Sequence, residues 1–215
     1  MNIFVTGSSR GIGLAIAERF LREGHRVFGF DREGSALSHD RYRHFVFDIR
    51  DGAWPELPGP EILINNAGTL EESDAIDVNL TGTIRFTQLF VESPALRSVL
   101  FIASASARNG AEFPLYVASK AGLVGYMKNL ALALSKRGVT VNSISPGGVI
   151  TPANRHILES ESLYAAVKAE TLLGKWAEAS EVAELAWYLT AVNRSITGED
   201  ILMDNGEMLK SNFIW

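Results

Sequence analysis

The sequence predicts an α/β protein built on a doubly wound, mostly parallel sheet of six to seven strands. Three observations carry that expectation. Short runs rich in β-branched and aromatic residues alternate with longer runs whose apolar residues recur every three or four positions. The links between successive strands reach the roughly dozen residues that a parallel crossover needs. The first strand also runs directly into a glycine-rich turn and then an amphipathic helix.

A chain of 215 residues supports one substantial core, so a single domain over 1–215 is expected. Hydrophobic residues make up 47% and charged ones 21%, an ordinary globular balance. The net charge of −5, with no basic block, argues against nucleic-acid partners. Zero cysteines exclude a disulfide, a thiol nucleophile or a Cys-ligated metal, and no metal site is expected. No apolar run approaches the ~20 residues of a membrane span. The first ten residues lack a basic n-region and are interrupted by Gly and Arg, so cytoplasmic residence without a membrane partner is the expectation.

Asn2–Thr6 reads as the first strand, and Leu14, Ile16, Ala17, Phe20 and Leu21 mark one buried face of the helix behind it. Between them lie Gly7, Ser9, Arg10, Gly11, Ile12 and Gly13, in the spacing G-x-x-x-G-x-G. A helix start with free N–H groups and its dipole behind them favours an anion, and a pyrophosphate is the natural occupant. Arg26–Asp31 is the second strand. A carboxylate about 20 residues past such a turn bonds adenosine ribose hydroxyls and repels a 2′-phosphate, so Asp31 favours NAD(H). Arg10 and Arg32 pull toward NADP(H), which stays as the alternative.

His44–Asp48 and Glu61–Asn65 read as the third and fourth strands. The link between them contains Pro55, Pro58 and Pro60 and has no room for a full helix, so Trp54 and Leu57 are expected to cover that part of the sheet. A helix follows over Ser73–Ser93, then a wholly apolar strand at Ser98–Ser104. A long helix spans Phe113–Lys136 and stops at Gly138. Val139–Ile144 is the sixth strand, followed by Ser145-Pro146-Gly147-Gly148. Residues 151–176 are amphipathic, Ser180 is placed to cap a helix over Glu181–Leu189, and Ile201–Met203 forms a short last strand. The tail, 204–215, ends in Phe213-Ile214-Trp215, which is expected to pack on the chain's own sheet or on a neighbour.

Tyr116 and Lys120 are four residues apart and share a helix face. They open a long helix just after a buried strand, which places the phenol at the carboxyl edge of the sheet, the rim where such folds bind ligands.

In order along the chain stand T-G-S-S-R-G-I-G at Thr6–Gly13, Asp48, N-N-A-G at Asn65–Gly68, Asn79 in V-N-L-T-G, Ser104, Y-V-A-S-K at Tyr116–Lys120 and S-P-G-G-V-I-T at Ser145–Thr151. With L-L-G-K-W at Leu172–Trp176, this set resembles the short-chain dehydrogenase/reductase family. The resemblance implies a Rossmann-like domain and an NAD(P)(H)-dependent oxidoreductase that interconverts a secondary alcohol and a ketone. It makes Tyr116 the general acid/base, Lys120 the ammonium that favours phenolate and holds the nicotinamide ribose, Ser104 the group that polarises the carbonyl, and Asn79 the anchor of a water relay. It assigns adenine contacts to Asp48 and Ile49, the sheet-stabilising turn to Asn65 and Gly68, carboxamide contacts to Val149 and Thr151, and further cofactor contacts to Ala67, Pro146 and Gly147. Residues 151–176 become a substrate lid, and assembly as a homodimer or homotetramer is implied.

The chain departs from the family pattern in three ways. Ser104 stands one residue closer to the tyrosine than usual, leaving Ser106 as the alternative. The segment Thr69–Asp74 is cut down, and the crossovers are lean, so the cleft is expected to be open or walled by another subunit. His156 reads as a solvated residue, and no arginine cluster points to a phosphorylated or carrier-protein substrate. The presence of Asn79, Ser104, Tyr116 and Lys120 together favours an enzyme over the alternative, a cofactor-binding sensor or scaffold with little turnover.

Overall fold

The structure, a computed structural model of the chain, describes residues 1–35, 37–51 and 57–210. Trp54 and the terminal Phe213-Ile214-Trp215 lie outside the described residues. Seven parallel strands form the main sheet: β1 (Asn2–Thr6), β2 (Arg26–Asp31), β3 (Tyr42–Val46), β4 (Ile62–Asn65), β5 (Ser98–Ile102), β6 (Thr140–Pro146) and, last in the chain, β9 (Asp200–Met203). Their spatial order is β3-β2-β1-β4-β5-β6-β9, so the direction of winding reverses beside β1. A Rossmann-like, doubly wound sheet results, and the carboxyl ends of β1 and β4 meet at the switch point. Val149–Ile150 (β7) and Ala177–Glu178 (β8) pair separately in a two-stranded parallel ribbon.

Alternation along the strands divides the core in two. Ile3, Val5, Ile62 and Ile64 face α1 (Gly11–Arg22) and, later in the chain, α7 (Ala179–Trp187). Phe4, Phe28, Phe30, Leu63 and Phe101 face α2 (Thr83–Gln88) and α4 (Pro114–Leu134). Phe4 is surrounded by Phe28, Phe30 and Phe90 at centroid distances of 5.1, 5.3 and 5.1 Å. Phe86 closes the group 5.2 Å from Phe30. These rings, with Phe45 and Leu57 packed against them, cover the sheet where the short links bring no helix among the described residues.

Four elements differ from the expectation. β3 starts and ends two residues early, because Asp48 accepts the Arg50 N–H at 2.9 Å and turns the chain out of the sheet. The helix expected over 73–93 begins as wide π-helical turns at Ile76–Gly82, the segment that carries Asn79, and regular turns follow only at Thr83. α7 starts at Ala179, with the Glu178 N–H held by the Glu181 carboxylate at 2.8 Å, so Ser180 lies inside the helix and does not cap it. Residues 152–169 form three short pieces, Pro152–Asn154, α5 (Arg155–Leu158) and α6 (Glu161–Ala169). Tyr164 meets Trp176 edge-on at 6.1 Å, and Trp176 fills the space beside Gly148, where an added Cβ would lie 2.1 Å from its ring.

The switch point is stapled by Asn66, not by Asn65. The Asn66 Nδ2 donates to the carbonyls of Thr6 and Gly7, both at 3.0 Å. The N–H groups of Asn66 and Ala67 donate to Thr6 Oγ1 at 2.9 and 3.0 Å. Asn65 points into the sheet interior, where its amide is buried without a protein partner.

Two stability measurements follow. Phe86→Ala should lower unfolding free energy by about 3–5 kcal/mol in urea titration, the usual cost of emptying a buried phenylalanine site. Asn66→Ala should cost about 1–3 kcal/mol, because two carbonyls at the switch point lose their donor, whereas Asn65→Ala should be close to neutral.

Candidate active site

One cavity of about 720 Å³ runs along the carboxyl edge of the sheet, within the size range of small-molecule sites. Its floor at one end is the turn between β1 and α1. Gly7 takes a left-handed φ of 66°, and a Cβ there would meet Asn66 Nδ2 at 2.8 Å. At Gly13 a Cβ would lie 2.0 Å from the Gly7 carbonyl oxygen, so helix and turn approach each other only because that atom is missing. No side chain of the capping residue Arg10 bonds the helix start, and Gly7, Arg10, Gly11 and Ile12 line the cavity.

Beyond the turn, Asp31 closes the end of β2. Its carboxylate accepts the N–H groups of Ser9 and Glu33 at 3.0 and 3.1 Å. Ser9 itself points away from the cavity and donates its hydroxyl to the Glu33 carbonyl at 3.0 Å. Arg10 pairs with the Glu33 carboxylate at 3.2 Å, while Arg32 lines the cavity nearby. A further chain buttresses this rim from beneath. Ser8 Oγ lies 3.1 Å from the Tyr42 hydroxyl, which lies 3.0 Å from His44 Nδ1, and His44 Nε2 lies 2.8 Å from the Glu33 carbonyl oxygen. Gly29 makes room for it: an added Cβ would stand 2.2 Å from the Tyr42 oxygen.

Asp48 and Ile49 form the next wall. The Asp48 carboxylate is gripped by the Arg50 guanidinium at 2.7 Å, which holds its pKa below the usual carboxylate range. Ala67, Gly68, Pro146, Gly147, Val149 and Thr151 complete the lining toward the inner end, and Asn65 is absent from it. An extended diphosphate ester fits these surfaces: open backbone N–H groups at a helix start, no side chains where phosphate must approach, and carboxylates placed beyond for hydroxyl groups.

At the inner end stand Ser104, Tyr116 and Lys120. Pro114 begins α4, and the Glu72 carboxylate caps it from the trimmed 69–74 segment by accepting the Leu115 N–H at 2.7 Å. Burial pushes the pKa of the Tyr116 phenol up to about 12, against the opposing pull of the Ser104 hydroxyl. One turn on, Lys120 is almost wholly buried. Its Nζ donates to the Ile102 carbonyl at 2.9 Å and stands 5.8 Å from the Tyr116 ring centre. Burial pulls the Lys120 pKa down to about 8, against the opposing pull of the Glu112 carboxylate.

Asn79 lies behind this pair and off the cavity wall. Its Oδ1 accepts the Thr69 N–H at 2.8 Å, and its Nδ2 donates to the Thr69 carbonyl and to Ser119 Oγ, both at 3.0 Å. Ser119 in turn donates to the Tyr116 carbonyl at 2.7 Å. The side chain of Asn79 therefore clamps the start of α4 to the Thr69 loop. Gly68 lies between Asn79 and Lys120, where an added Cβ would stand 3.1 Å from Asn79 Oδ1 and 3.4 Å from Lys120 Nζ.

Two participants escaped sequence reasoning altogether. Asn66 was hidden by its twin, since an N-N pair does not say which amide turns toward the glycine turn. Glu112 lines the cavity from a loop with no motif of its own. Ser106, the alternative serine, donates its hydroxyl to Ser104 Oγ at 2.8 Å. Among the described residues no group of acidic and histidine side chains is arranged to hold a metal ion, and no helix is long and apolar enough to cross a membrane.

The comparisons with known proteins agree with this geometry. A short chain dehydrogenase family model matches residues 1–53, and a model described as enoyl-(acyl carrier protein) reductase, of the same group, matches residues 60–207. The chain is 30% identical to the 3-oxoacyl-(acyl-carrier-protein) reductase FabG of Salmonella typhimurium, over 94% of this chain and 95% of that one. It is 31% identical to the corresponding reductase MabA of Mycobacterium avium, over 95% and 89%. Among solved structures, the aldohexose dehydrogenase of Thermoplasma acidophilum superposes with a TM-score of 0.88 at 24% identity, covering 100% of this chain and 96% of that one. A 4-hydroxyisoleucine dehydrogenase complexed with NADH superposes with a TM-score of 0.86 at 25% identity, covering 98% and 99%. The chain belongs to the short-chain dehydrogenase/reductase family of NAD(P)-dependent oxidoreductases.

Proposed function

We propose that this protein interconverts a secondary alcohol and a ketone, with Tyr116 as the general acid/base. The observation that carries the reading is that Ser104, Tyr116 and, one helical turn on, the buried Lys120 meet at the end of a cavity that begins on a glycine turn. A nicotinamide dinucleotide bound along that cavity supplies or takes up the hydride.

Gly7, Gly11 and Gly13 leave the phosphates access to the start of α1, and Asp31 and Arg32 bound the adenosine end. Ser104 Oγ orients the substrate oxygen, and Tyr116 gives that oxygen its proton in reduction or takes it in oxidation. With its pKa at about 12 in the unliganded protein, Tyr116 is a phenol at neutral pH, which suits the donor role. Lys120, at about 8, changes charge close to neutrality and is suited to exchange protons with the phenol. Asn79 fixes the turn of α4 that carries both and would seat the water of a relay. Ile157, Val167 and Glu170 of the 151–176 segment line the cavity mouth and act as the lid.

The Asp31 carboxylate at the end of β2 supports NAD(H) over NADP(H). A cationic pair-breaker is at hand in Arg10, but the Glu33 carboxylate already engages it.

Oxidation of NADH and NADPH followed spectrophotometrically against a ketone panel tests the activity. Tyr116→Phe should lower kcat by at least about a thousandfold, within the range for loss of a positioned acid, and leave NADH affinity within about twofold by fluorescence titration. Binding of NADH with no turnover of any ketone by the unmodified chain would favour a sensor instead. Asp31→Ala should shift the NADH-to-NADPH ratio of kcat/KM toward NADPH by about tenfold or more, equivalent to about 1.4 kcal/mol; an unchanged ratio would contradict the assigned preference.

A further inference from the structure

The Ser104 hydroxyl oxygen is approached twice by the same neighbour. The backbone N–H of Ser106 donates to Ser104 Oγ at 3.2 Å, and the Ser106 hydroxyl donates to that same oxygen at 2.8 Å. Both serines are buried, and both line the cavity. The backbone that carries Ser104 is held to β6, since the N–H groups of Ala103 and Ala105 donate to the carbonyls of Ile144 and Pro146, each at 2.8 Å. Ser106 opens the helical turn α3 (Ser106–Asn109), which Arg108 ties to the start of β9. The Arg108 Nε donates to the Asp200 carboxylate at 2.9 Å, and the same carboxylate accepts the hydroxyls of Ser143 and Ser145, both at 2.7 Å.

Counting hydrogens shows what this leaves Ser104 able to do. A serine hydroxyl has two lone pairs that accept and one hydrogen to donate. Ser106 occupies both lone pairs of Ser104, so only the Ser104 hydrogen is uncommitted. Ser106 directs its own hydroxyl hydrogen at Ser104 and has none left for a ligand in the cavity. The two serines therefore differ in role: Ser104 can donate to a ligand, and Ser106 ensures that it does nothing else. With no lone pair free on Ser104, the Tyr116 hydroxyl finds no acceptor there and keeps its hydrogen for an oxygen at the inner end of the cavity.

We propose that Ser106 is a positioning residue that makes Ser104 an obligate hydrogen-bond donor, so that a carbonyl oxygen at the inner end receives two hydrogens, one from Ser104 and one from Tyr116. The proposal rests on Tyr116 being the acid/base. Without the Ser106 hydroxyl, one lone pair of Ser104 is open and Tyr116 can donate to it. Serine and phenol then satisfy each other, and that pairing must break before a carbonyl is bound between them. With the Ser106 hydroxyl in place the closed pair does not form. Donors already aimed at the oxygen where negative charge develops need no reorganisation during the reaction. Ser104 moves no proton in this scheme and keeps its hydrogen throughout; the proton gained by the substrate oxygen in reduction is that of Tyr116.

Neutron diffraction from crystals of the unliganded full chain, exchanged into deuterium oxide, shows hydroxyl deuterons directly. The expected result is a Ser106 deuteron on the line to Ser104 Oγ and a Ser104 deuteron turned away from Ser106. A Ser104 deuteron pointing at Ser106 Oγ, or a Tyr116 deuteron pointing at Ser104 Oγ, overturns the proposal. Kinetics add a readout that a merely structural role would not move. With a ketone that the unmodified chain reduces, Ser106→Ala should lower kcat about tenfold, a part of the ~10²–10³ that loss of a whole donor costs, and leave KM for NADH unchanged. In a Ser104→Ala background the same substitution should cost nothing further, because the group through which it acts is gone. A loss that persists in that background is structural and overturns the proposal, as does full kcat in Ser106→Ala alone. The crystals hold neither substrate nor cofactor, so a failed ketone screen counts against the assigned activity while the deuterons decide the polarity of the serine pair by themselves.

Discussion

The site depends on one close approach. At the junction of β1 and α1 the Gly13 Cα faces the Gly7 carbonyl with no space for another carbon, and this contact lets the helix start directly over the end of the strand. Asn66 then ties the same turn to the end of β4 through four hydrogen bonds made by its own and its neighbour's groups. The two strands at the switch point are thereby held in register, and every other wall of the cavity is referred to them. The glycine turn and the phenol are carried by elements more than a hundred residues apart in sequence, and the strands between them fix their separation.

The inner end is governed by desolvation. Burial drives the pKa values of Tyr116 and Lys120 apart from closely similar usual values, up to about 12 and down to about 8. Both shifts favour the uncharged forms, as burial must. The sequence argument, that an ammonium one turn away makes the phenol more acidic, leaves out burial, the largest effect at the phenol and one of opposite sign. What offsets desolvation at the phenol is the Ser104 hydroxyl.

Much of this was legible before any coordinates. The seven strands, the long helix bearing Tyr116 and Lys120, and the glycine turn follow from local patterns, because strands buried on both faces and helices with one apolar stripe leave strong periodic signals. Positions set by long-range contacts were not legible. β3 was read two residues late because Phe47 and Asp48 look like strand residues, and only the Asp48–Arg50 turn ends it sooner. Ser180 resembles a cap but yields to the Glu178–Glu181 arrangement. Asn65 and Asn66 are indistinguishable as letters, and alternation decides which amide is buried in the sheet. Glu112 gave no signal, since it reaches the cavity from a loop with no motif of its own.

Gly29 and Tyr42 belong to different strands, yet they are two halves of one shape. The hydroxyl of the tyrosine occupies the volume that a methyl group on the glycine would claim, 2.2 Å away, and through it Ser8 is linked to His44 and the rim of the cavity beside Glu33. Neither position can drift alone: a larger residue at 29 evicts the ring, and a smaller one at 42 opens a void beneath the glycine turn. In descendants of this sequence the pair should change together or stay fixed, so the history of the outer edge strand is bound to that of the glycine turn it reaches through a single hydroxyl.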